Sequence, residues 1–154
     1  MGNRTWPDPL HTPSPARVEE LLRDFWRILG QLPHLANRRE HLLADHCTAA
    51  LRSIVIEMML ALNGIARPSG TAHLNSYLSD SQRAALEKTL IASVVAAETW
   101  IGRSVALVVI YRWYAPQLEA RFGLAHPQAL EDETLAHLQH ELADWPLAIT
   151  TDLA

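Results

Sequence analysis

The sequence predicts an all-α fold, a four- or five-helix up-and-down bundle, and three observations carry that expectation. Apolar residues recur at three-four spacing in stretch after stretch, the mark of helices with one buried stripe. No strand-like alternation is found anywhere along the 154 residues. Helix punctuation, with Ser or Pro at starts and Gly at stops, falls where those stripes begin and end. The stretch from His41 to Asn63 anchors the rest. It holds no Pro or Gly and stops on Asn63-Gly64, a pair suited to a left-handed helix end. Ile54, Val55, Ile56, Met58, Met59, Leu60 and Leu62 make its second half apolar almost all round, so other helices must enclose it.

Residues 1–13 contain Pro7, Pro9 and Pro13 and no periodicity, which predicts an extended lead-in before a single helical domain over 14–150. Ser14-Pro15 opens the first helix with a capping hydroxyl and a proline at the first helical position. Val18, Leu21, Leu22, Phe25, Trp26 and Leu29 form its buried stripe. Gly30 and Pro33 interrupt it, and a helix is expected to resume near His34 and merge into the central one. GIARPSGTA, residues 64–72, reads as a loop, and His73 to Leu78 as a short helical turn. Ser79 and Gln82 have capping-box spacing ahead of Ala84, Ala85, Leu86 and Leu90. The second long helix is expected from about Val94 to Phe122, stopping at Gly123, with a kink or break at Pro116. The last helix starts at His126-Pro127, turns Leu130, Leu135, Leu138 and Leu142 inward, and ends at Asp144-Trp145-Pro146.

Composition bounds the function. With 49% hydrophobic residues the chain is long enough for one domain with a core. A formal charge of -4 leaves no broad basic footprint, so no nucleic acid is expected as a partner. The single cysteine, Cys47, excludes an intrachain disulfide and reads as a small core residue. The N-terminus lacks a signal-peptide layout, and Trp6 breaks the myristoylation pattern. Arg103 and Arg112 bracket the longest apolar run, which falls short of the roughly 18 residues of a membrane span. A cytoplasmic location is the expectation.

Glu57 is the first chemical candidate, because Ser53, Ala50 and His46 share its face of an oily helix. That polar stripe either walls a binding pocket or marks a structural ion pair with a base such as Arg103. His137, His140, Glu133 and Glu141 share one face of the last helix at metal-like spacing, but the face opposes the inward leucines and reads as solvated. No metal or cofactor is expected. An arginine and a histidine with four to six residues between them, as in HEPN-type ribonucleases, occur as Arg4/His11, Arg27/His34, Arg39/His46, Arg67/His73 and Arg121/His126. A ribonuclease toxin of that type is therefore an alternative, and a structural homodimer without ligand is another. Trp100, Tyr111, Trp113 and Tyr114 punctuate the second long helix, at least half of them as core.

Asp24-Phe25-Trp26, then His34, Arg38-Arg39-Glu40 and a long helix follow an order that resembles the C-terminal helical domain of streptomycin-type aminoglycoside 6-adenylyltransferases. His73-Leu74-Asn75-Ser76-Tyr77-Leu78, Glu98-Thr99-Trp100, Arg121-Phe122-Gly123 and Trp145-Pro146 continue it, so the likeness covers about residues 14 to 146. The resemblance implies a nucleotidyltransferase substrate-binding domain, a helical wall that holds a cationic antibiotic against a separate catalytic domain or subunit. It implies Trp26, His34, His46, Glu57, Glu98 and Trp100 as ligand-binding residues. Glu57 and Glu98 would neutralise the ligand, the tryptophans would stack on it, and the histidines would hydrogen-bond. The chain departs from the family in lacking a Gly-Ser turn and any strand Asp-x-Asp for magnesium, and in having Lys88 as its one lysine. The resemblance therefore implies binding and not catalysis by this chain alone.

Overall fold

Ser14 starts the first helix as its side chain predicts: the hydroxyl accepts from the Arg17 N–H at 3.2 Å, and Pro15 stands at the first helical position. In the computed structural model, which describes residues 10–69, 71, 73–90 and 94–149, this helix is α1, Pro15–Leu29. It is followed by α2 (Leu32–Asn37), α3 (His41–Leu62), a 3-10 turn (Leu74–Tyr77), α4 (Asp80–Glu87), α5 (Ala97–Phe122) and α6 (Gln128–Glu141). The all-α expectation holds: four long helices and two short ones form a small bundle, with no strand among the described residues. No helix among them is long and apolar enough to cross a membrane.

The stripe read from α1 is buried in full, from Val18 to Leu29. Each large apolar side chain taken out of water there contributes about 1.5–3 kcal/mol. α3 is enclosed as its composition requires. It packs most extensively against α5 and next against α1, while α6 leans mainly on α1 and touches α5 little. Phe25 of α1 stacks on Tyr111 of α5 at 4.5 Å between ring centroids, and Trp26 meets the same ring edge-on at 5.0 Å. The Tyr111 hydroxyl, buried in this cluster, donates to the Leu22 carbonyl at 2.9 Å.

Helix ends account for the loops. Gly64 has φ +83 and Gly123 φ +67, and the following amides bond back five residues, Ile65 to Leu60 and Leu124 to Glu119. Both stops are left-handed caps of the kind the sequence announces. The capping box at Ser79 and Gln82 is complete, and Asn63 ties the stop of α3 to the Tyr77 carbonyl and to Gln82.

Four expectations are corrected. α2 does not merge into α3, because Arg39 adopts φ 57 between them, with the Glu40 amide bonding to Leu35 and that of Arg39 to Ala36. The pattern is the same left-handed cap with arginine where glycine is usual. α5 begins at Ala97, three residues later than expected. Pro116 lies inside it without ending it; the Gln117 side chain there donates to the Trp113 carbonyl at 2.7 Å. Leu90, expected within the helix that begins at Ser79, lies three residues beyond the end of α4 at Glu87 and is 52% exposed.

Candidate functional site

The left-handed turn at Arg39 separates α3 from α2, and the first turn of α5 lies beside that corner. Between them lies a cleft of about 520 Å³, lined by Ala36, Asn37, Arg39, His41, Val95, Ala96, Ala97 and Glu98. One wall is small and apolar. The other groups are a guanidinium, an imidazole, an amide and a carboxylate. Asn37 is held by donating to the Glu141 carbonyl at 3.3 Å.

His41 is fixed from behind. The Trp100 indole N–H donates to its Nδ1 at 3.0 Å. Because an indole nitrogen only donates, the neutral His41 ring carries its proton on Nε2. Trp100 is itself 5% exposed, and the Arg103 guanidinium lies 5.4 Å from its ring centroid. Arg103 is occupied in turn by Asp45 at 3.4 Å and by the Leu90 carbonyl at 3.1 Å. Glu98 is exposed in the first turn of α5, where the helix dipole favours a negative charge. It has no hydrogen-bond or ion-pair partner among the described residues, and neither has the Arg39 side chain.

The six residues expected to bind a ligand are not brought together. Glu98 lines the cleft and Trp100 supports it through His41. Trp26 is 0% exposed inside the Phe25–Tyr111 cluster, so its stacking role is corrected to a core role: no face of the ring is open to a ligand. His34 and His46 are exposed on α2 and α3, outside the lining of the cleft. Glu57 is engaged through both oxygens by Arg17, at 2.8 Å to Nε and 2.9 Å to Nη2, and the same guanidinium holds Glu20. These carboxylates raise the already high pKa of Arg17 further. The ion-pair reading of Glu57 is thus the one realised, with Arg17 as partner in place of Arg103.

The other candidates fall out similarly. His137, His140, Glu133 and Glu141 are all exposed on α6, as a solvated face requires. Arg121 caps the end of α3 by donating to the Leu62 carbonyl, while His126 contacts Glu119 and Glu131. Neither Arg39, named from sequence only for its spacing to His46 and in Arg38-Arg39-Glu40, nor His41 is among the expected ligand-binding residues, because their sharing a cleft with Glu98 depends on the corner at Arg39. Family models, curated proteins and solved structures contain no match to this chain.

Proposed function

We propose that this chain is a small-molecule-binding helical domain, not catalytic alone, that takes a cationic ligand of aminoglycoside type in the cleft beside Glu98. The supporting observation is the Glu98 carboxylate, without a partner among the described residues, at a cleft roomy enough for part of such a ligand. An ammonium or guanidinium group would gain a charge-assisted hydrogen bond there. The Nε2–H of His41 and the Asn37 amide would then meet ligand hydroxyls. The resemblance to aminoglycoside nucleotidyltransferases favours the same ligand class, and a separate catalytic subunit is the partner it implies. The ribonuclease alternative is less favoured, because both members of its best pair, Arg121 and His126, are already occupied.

The test is a thermal-shift titration with a streptomycin-type aminoglycoside, with a nucleotide and a simple polyamine as comparisons. At a hundredfold excess over Kd, a ligand adds about 2.7 kcal/mol of stability. For a chain of this size that raises Tm by about 5–10 °C. Glu98→Gln should remove most of the shift while leaving the unliganded Tm close to that of the wild type. Equal shifts with polyamine and aminoglycoside, or none with either, would refute the proposal.

A further inference from the structure

The joint between α5 and α6 holds a cluster that the cleft does not use. His126, in the connecting loop, contacts Glu119 Oε1 through Nδ1 at 2.5 Å and Glu131 Oε2 through Nε2 at 2.6 Å. A neutral imidazole has one N–H and one lone pair. With an ionised carboxylate at each nitrogen, the neutral ring would set a lone pair against an anion, whereas the doubly protonated imidazolium donates to both.

We propose that His126 is a proton-operated latch: protonated, it pins the start of α6 to the end of α5, and deprotonated, it releases α6 and residues 142–149 that follow it. The charges around it balance only in the first state. Glu119 of α5 and Glu131 of α6 bring two negative charges, while His126 and Arg112 of α5 bring two positive ones. Arg112 donates to Glu131 Oε1 at 3.3 and 3.2 Å and to the Ile149 carbonyl at 3.0 Å. Gln128 also donates to Glu131, and its second partner, Asp132, lies on the exposed side of α6. The Tyr111 ring stands 6.3 Å away with its hydroxyl turned to α1, and α1 brings no charged group into hydrogen-bond contact with the cluster among the described residues.

Two features make the joint sensitive. The cluster is only partly screened, with side-chain exposures of 24% for His126, 17% for Glu119 and 8% for Glu131. And since α6 packs chiefly on α1, the Arg112–Glu131 contact of this cluster supplies side-chain hydrogen bonds between α5 and α6. Arg112 carries the state of the latch onward. Together with Leu135, Gln139 and Trp145 it borders a groove of about 270 Å³ beneath residues 146–149. Burial pulls the His126 pKa down, but the bonds to Glu131 and Glu119 outweigh it, and the net direction is upward. A raised histidine contributes stability that is complete below the unfolded value of about 6.5 and is lost as pH rises through the folded value.

The experiment is an NMR titration of the His126 ring together with amide exchange over residues 128–149, in wild type, His126→Gln and Glu119→Gln. The wild-type ring should keep both protons above pH ~6.5. Exchange in α6, corrected for its intrinsic pH dependence, should quicken on passing to pH ~8.5 by about tenfold for each unit of pKa elevation. His126→Gln should show no such step. Should it fail to fold, Glu119→Gln keeps the question open to test, because one lost carboxylate must move the step to lower pH. A ring that titrates at or below ~6.5 would overturn the proposal, as would a step of equal size in wild type and His126→Gln.

Discussion

Glu57 shows how a residue's neighbours across the bundle decide its role. On α3 it looks like a lone carboxylate among apolar side chains, but Arg17 lies forty positions earlier and reaches it from α1. The pair is bidentate, which favours it, yet the Arg17 side chain is 46% exposed against 18% for Glu57. Exposed pairs are screened by solvent and contribute about 0.2–1 kcal/mol. Glu57→Ala should therefore lower stability by at most about 1 kcal/mol, or about 2–4 °C in Tm, as should Arg17→Ala. Ligand-induced shifts should be the same in Glu57→Ala and wild type, in contrast to Glu98→Gln. A larger loss in denaturant titrations, or lost ligand response, would mean that Glu57 does more than tie α1 to α3.

Among the elements, what was legible was local. The caps at Ser14 and Ser79 and the glycine stops at Gly64 and Gly123 need only neighbouring residues, and all four lie where the sequence puts them. Buried stripes were equally readable, because a helix with six apolar residues on one face has few ways to satisfy them. What was missed depends on how helices are set against one another. The α2–α3 junction hides behind Arg39, since nothing in that residue type announces a left-handed backbone. With it went the corner that shapes the cleft. An L-residue in that region costs about 1–2 kcal/mol. Glycine removes the steric part but adds unfolded-state freedom of about 0.5–1 kcal/mol. Arg39→Gly should thus stabilise the protein by up to about 1 kcal/mol, read as a rise in denaturation midpoint with unchanged slope. Destabilisation would mean that the Arg39 side chain holds the corner, and that the corner is not held by backbone geometry alone.

At the scale of the molecule the question is whether this is one cooperative unit, as the continuous core from α1 through α3 to α5 implies. Cys47 is placed to report on it. It is 4% exposed on α3, its Sγ lies 3.5 Å from the Ile28 carbonyl of α1, and burial pushes its thiol pKa up to about 11. A thiol so protonated and covered reacts only when the structure opens around it. In a two-state domain the open population is about 10⁻³ or less, so labelling by a disulfide reagent at neutral pH should be slowed by about 10³-fold or more against the unfolded chain. If α1, α3 and α5 open together, the opening free energy from labelling should match that from global unfolding and fall with the same dependence on denaturant. Labelling slowed only about tenfold, with a shallow denaturant dependence, would show instead that α1 lifts from α3 on its own. The shared Phe25–Trp26–Tyr111 cluster argues for the cooperative outcome, because α1 cannot leave α3 without stripping its rings from Tyr111 on α5.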